Sequence, residues 1–193
     1  HIGVISTDMG TGRYSLPSCE ISKGDQGILR DTEGLGATPG CPTPSNKWIE
    51  YINKQTNVVN STATDPVEKV KEAFQCVARL GTKGCGFEHQ LEAARQALDP
   101  QLDRNPGFLR QDAFLAIVFL TDEDDCSANG DELFNPESLS TLGPLTSFRC
   151  FEKGVTCKQT DLRAVGTKTE CKANPDDQYL LTTKSYIDFF KSL

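Results

Sequence analysis

Eight cysteines, Cys19, Cys41, Cys76, Cys85, Cys126, Cys150, Cys157 and Cys171, constrain this 193-residue chain more than any other feature. None stands in a Cys-x-x-Cys pair, and the two histidines, His1 and His89, each lack a second histidine nearby, so the close spacing of a structural zinc site is missing. An even count without metal-ligand spacing reads as a disulfide framework, and disulfides persist in oxidising compartments. The chain is therefore expected to be exported. Eight cysteines allow about 105 complete pairings. Joining neighbours, Cys19 to Cys41, Cys76 to Cys85, Cys126 to Cys150 and Cys157 to Cys171, would staple each long loop and lower the cost of ordering it.

The length suffices for one domain with a real core, residues 1–193. With 16 glycines, 10 prolines and a mean hydropathy of −0.42, much of it is spent in connections. Residues 10–46 and 126–178 hold turn chemistry and cysteines, and read as insertions into that domain. Elsewhere the pattern is regular. Residues 2–5 form a short apolar run, a buried strand, and 48–52 a second one. Asp65, Pro66 and Glu68 make a helix start with a capping residue, a first-turn proline and a capping-box acid, and Val67, Val70, Phe74 and Val77 follow on one helical face. A second helix carries Phe87, Leu91, Ala94 and Leu98 and ends at Pro100; a last one carries Tyr186, Ile187, Phe190 and Leu193. The run 113–120 is apolar throughout, as in a central parallel strand covered on both faces. Buried strands alternating with helices predict an open, mainly parallel α/β sheet flanked by helices.

That run is also the longest apolar stretch, far short of the ~20 residues needed to span a bilayer, so no membrane-spanning segment is expected. Lys plus Arg number 20 against 27 Asp plus Glu, a formal charge of −7, which argues against nucleic acid as a partner.

In an open α/β sheet, ligands bind beyond the carboxyl ends of the strands. There the sequence places Asp122, Glu123, Asp124 and Asp125, directly after 113–120. Adjacent carboxylates repel one another, a divalent cation relieves that, and oxygen ligands favour Mg, Mn or Ca. A solvated acidic loop is the plainer alternative. Thr82, in the turn 81–84 between two helices, and Asp8, just past the first strand, would share the rim; otherwise Thr82 belongs to a helix cap and Asp8 to a loop.

Three segments resemble a von Willebrand factor A-type domain: the strand entering Ser6-Thr7-Asp8, the turn Leu80-Gly81-Thr82 leading into residues 87–94, and the strand entering Thr121-Asp122. The resemblance covers about half of the chain. It implies a Rossmann-like sheet, with Thr82 and Asp122 as two contributors to a metal-ion-dependent adhesion site; Asp8 and Asp124 are weaker candidates from their place on the rim and in the acidic loop. The family's DxSxS loop is absent; the nearest string, Asp125-Cys126-Ser127, follows the wrong strand. The resemblance thus implies a chain that starts after the family's first strand and ends on the helix before a later one. Cysteine-rich variants resemble bacterial surface lipoproteins and adhesins, implying a module at the outer surface, in the periplasm or outside the cell, lipid-anchored by an upstream segment, that binds a protein or surface ligand without catalysis.

Two alternatives stand beside it. A degenerate relative would be a metal-free protein-binding platform. An exported chain with an N-terminal histidine also suggests copper held by His1 and His89, as in polysaccharide monooxygenases, although those enzymes are β-sandwiches. No GxSxG or HExxH motif supports a hydrolase.

Overall fold

The computed structural model describes residues 1–17, 19, 23–31, 40–82 and 84–193, so part of the stretch 10–46 and Lys83 of the turn 81–84 lie outside the described residues. In chain order the elements are β1 (Thr43–Pro44), β2 (Tyr51–Ile52), β3 (Gln55–Thr56), β4 (Val58–Val59), α1 (Pro66–Val77), α2 (Gln90–Leu98), a 3-10 turn (Glu132–Phe134), α3 (Leu139–Leu142), α4 (Phe148–Gly154), β5 (Val155–Thr156), β6 (Lys172–Ala173) and α5 (Thr183–Ser192).

The start of α1 follows from local sequence. Asp65 Oδ1 accepts from the amides of Val67 and Glu68 at 2.7 and 3.3 Å, and Pro66 opens the helix where no amide is needed. Glu68 closes no capping box; its carboxylate pairs with Lys71 Nζ at 2.6 Å. The buried face holds Ala73, Cys76 and Val77 with Val70 alongside, while Val67 and Phe74 face outward. A disulfide from Cys76 to Cys41 draws that face onto β1 and sets its rotation. β2 and β3 form a hairpin whose two turn residues, Asn53 and Lys54, have φ of 51° and 63°, the backbone a primed two-residue turn requires.

The open parallel sheet is not formed. Among the described residues all ladders are antiparallel and two-stranded, β1–β4, β2–β3 and β5–β6. Among the described residues, 2–5 are tied by an Ile2–Ile49 bridge and by the Arg30 amide on the Val4 carbonyl at 2.8 Å. The run 113–120, expected at the centre of the sheet, passes without turn or bend through solvent, and its backbone groups pair with no described residue. The physical reason is neighbours. A continuous apolar run becomes a central strand only when strands flank it, and the described strands close onto each other two by two.

Two buried clusters replace that sheet core. The larger joins Leu16, Cys19, Cys85, Phe87, Cys126, Leu133, Phe134 and Cys150; the smaller joins Ile49, Val58, Ala73 and Val77. Most of the larger cluster comes from the two cysteine-bearing stretches. Four disulfides cross-link the chain, Cys19–Cys85 and Cys126–Cys150 within the larger cluster and Cys41–Cys76 and Cys157–Cys171 outside it. Cys126–Cys150 and Cys157–Cys171 are the neighbour pairs expected from sequence, whereas Cys19 and Cys85 meet inside the larger cluster, leaving Cys41 to Cys76. In the 126–178 stretch, the guanidinium of fully buried Arg149 donates to the carbonyls of Leu133, Asn135, Gly143 and Pro144 at 2.7 to 3.1 Å, satisfying polar backbone that irregular chain would otherwise bury unpaired. In α5, Tyr186 is buried and donates to Glu92 Oε2 of α2 at 3.0 Å, while Ile187 and Leu193 remain exposed.

Candidate functional site

The start of α2 organises the rim. Its own cap residue, His89, offers no side-chain hydrogen bond, so the first free amides are met from elsewhere. Leu91 N donates to Asp125 Oδ1 at 2.9 Å and Glu92 N to Ser127 Oγ at 3.0 Å; Ser127 in turn gives its hydroxyl to Asp125 Oδ1 and its amide to Asp125 Oδ2. Burial raises the Asp125 pKa, opposed by those donors. The residues Asp125 and Ser127 are therefore a helix cap delivered by tertiary contact.

This cap brings residues 121–124 against α2. Gln90 Nε2 donates to Thr121 Oγ1 at 2.7 Å and to the Glu123 carbonyl at 3.3 Å. The Glu88 pKa is raised first by burial and then by the charges of Glu123 and Asp122, opposed by the hydroxyls of Thr7 and Thr121. Thr7 joins from the other side, its carbonyl accepting from His89 N at 3.0 Å. The segments entering Asp8 and Asp122 meet at the start of α2, through Thr7 and Thr121, without the sheet that was expected to align them.

The proposed metal ligands do not converge in the same way. Asp8 is buried, with Oδ1 accepting from Gly10 N at 2.8 Å and Oδ2 from Cys85 N at 3.3 Å; burial raises its pKa against these amides. Thr82 is exposed and makes no hydrogen bond among the described residues. Asp122 and Asp124 are exposed, and Asp124 with Glu123 forms one wall of an open cleft of about 300 Å³ whose other wall is Ser147, Phe148 and Phe151. Among the described residues no three His, Cys, Asp or Glu side chains are grouped to hold a metal ion. Asp8 is turned inward onto the Gly10 and Cys85 amides and so is not free to join Asp122 and Asp124 around a divalent cation.

The histidines also belong to different packing groups. His1 lies beside Trp48 and Phe108, its Nδ1 2.7 Å from the Phe108 carbonyl. His89 is stacked on Phe134 in the larger cluster at 5.5 Å, and burial lowers its pKa to about 4. Sequence reasoning missed Thr7, Glu88, Gln90 and Thr121. A usable signal existed, since a threonine precedes the aspartate at the end of both apolar runs.

No protein-family model matches the chain, and no curated protein or solved structure matches it.

Proposed function

We propose that this chain is a non-enzymatic, exported binding module that recognises another polypeptide by strand addition along residues 113–120, without a cation. One observation carries the reading: the eight consecutive apolar residues 113–120 are all exposed, Leu115, Ile117 and Phe119 least so of the large side chains, and their backbone groups pair with no described residue. Val118 and Leu120 are 86% and 95% exposed and Phe114 fully so. Bare apolar strand of this length is a template for pairing, and exposed apolar surface of this extent marks an interaction site. The acidic and aromatic cleft at Glu123, Asp124, Phe148 and Phe151 adjoins its carboxyl end and suits a basic side chain of the partner.

Four disulfides belong with an oxidising, extracytoplasmic setting, and no helix among the described residues is long and apolar enough to cross a membrane. Display at a cell surface is our proposal for where such a strand meets its partner. The cysteines are all in disulfides and His89 is buried with its pKa lowered to about 4, so neither is offered to the rim as a nucleophile or base.

Hydrogen exchange tests the reading. Amides of 113–120 in the dilute isolated chain should exchange at nearly unprotected rates and slow when a polypeptide partner is bound, in EDTA as in Mg or Ca. Slow exchange in the dilute chain alone, or partner binding abolished by EDTA, would overturn it.

A further inference from the structure

We infer that the strand added along 113–120 is the same strand of a second copy, paired antiparallel about a two-fold axis through Ala116. This rests on the strand-addition reading and names its occupant.

The first argument is area. From the exposures of Phe114, Leu115, Ile117, Val118, Phe119 and Leu120, roughly 700 Å² of apolar side chain is open, taking about 150 to 250 Å² for each large side chain. That exceeds the ~300 to 600 Å² of the largest patch on an ordinary monomer and approaches the ~800 Å² that each partner contributes to a stable interface. A ladder between two such strands also satisfies backbone groups on both.

The second argument is charge, which selects both the occupant and the register. The apolar run is preceded by Arg110 and, nearer to it, Asp112, and is followed by the acidic Asp122 to Asp125. Arg110 is exposed and has no carboxylate partner among the described residues. Reversing a second copy against the first lays each Arg110 beside the other copy's acidic end. A two-fold axis perpendicular to the ladder keeps each side chain on its own face, so directly opposed residues share parity. With Ala116 on the axis, Phe114 faces Val118 and Arg110 faces Asp122. Shifting the axis to Ile117 sets Asp112 against Asp122, a like-charge pair that disfavours that register.

Sedimentation of the full chain across concentration, with hydrogen exchange in parallel, tests this. The expected result is a monomer–dimer equilibrium in which protection of 113–120 rises with dimer. Val118→Lys, at a solvent-facing position, should weaken association at least tenfold without changing the melting temperature of the dilute chain. Arg110→Asp should weaken it, and Arg110→Asp with Asp122→Arg should restore it. Ala116→Cys should cross-link two copies on oxidation and Ala113→Cys should not. A chain that stays monomeric with 113–120 exchanging freely overturns the second copy while leaving strand addition by a different polypeptide intact. Protection of 113–120 in the monomer overturns both, and a dimer indifferent to Val118→Lys and Arg110→Asp overturns this surface.

Discussion

An imidazole 4% exposed and stacked on Phe134 couples folding to pH through His89. Burial lowers its pKa from 6.5 to about 4, outweighing the attraction of Glu92. The folded value lies below the unfolded one, so the stability it confers is complete above pH 6.5 and is lost as pH falls toward 4, by about 3 kcal/mol in all. The raised carboxyls of Asp8, Glu88 and Asp125 act in the opposite sense, their contribution being lost as pH rises through their folded values. Glu92 follows the His89 direction. Burial pushes its pKa up, but hydrogen bonds from Arg95, Gln96 and Tyr186 with the Arg95 charge hold it below 4.5, so it stabilises at neutral pH and ceases to on acidification. His89→Phe keeps a ring against Phe134 and removes the titration. Urea unfolding of parent and variant at matched pH should show the gap between them changing by about 3 kcal/mol from pH 7 to pH 4; a constant gap would assign the acid sensitivity to Glu92 rather than His89.

At the scale of elements, α1 and α2 differ in how they begin. α1 is capped by the residue next to it in sequence, Asp65, and the start was legible for that reason. α2 borrows its cap from Asp125 and Ser127, more than thirty residues away, where they had read as part of an acidic loop. Asp125→Ala should cost about 1 to 2 kcal/mol and Ser127→Ala about 1 kcal/mol in equilibrium unfolding. Because the Ser127 hydroxyl also donates to Asp125, the double variant should cost less than the sum of the two. Strict additivity would mean that the two residues do not act as one cap. The same substitutions release 121–124 from the rim, so faster exchange there should accompany the lost stability.

For the molecule as a whole, the cross-links matter unequally. Cys19–Cys85 spans 66 residues and lies in the larger cluster, whereas Cys157–Cys171 spans 14. Loop closure alone gives roughly 3 kcal/mol for the short span and about 1 kcal/mol more for the long one. Replacing Cys19 and Cys85 by alanine should therefore lower the melting temperature further than replacing Cys157 and Cys171, with a cavity cost in addition. Equal losses from both would indicate that the unfolded chain is already compact around the longer span. Gly27 shows how tightly the long connections are drawn in: at φ of 70°, a Cβ there would stand 2.7 Å from the Ala93 carbonyl oxygen and the Ala97 amide of α2.

The sequence by itself determined what depends on near neighbours or on composition. The cap of α1 by Asp65, the helical segments 66–77 and 183–192, a second helix that starts at Gln90 rather than at the expected Phe87, the two disulfides between neighbouring cysteines and the oxidising setting were all legible, because each follows from local spacing, from order along the chain or from a simple count. Tertiary structure alone decided the rest. Whether 113–120 becomes a sheet centre or an open strand depends on which strands lie beside it. Cys41 reached Cys76, and Cys19 reached Cys85, because of how α1 and the larger cluster pack. Asp8, a surface ligand by its position in sequence, became a buried acceptor for Gly10 and Cys85 once the chain closed over it. An apolar run or a carboxylate has the same local signature whichever groups face it, and those groups come from distant parts of the chain.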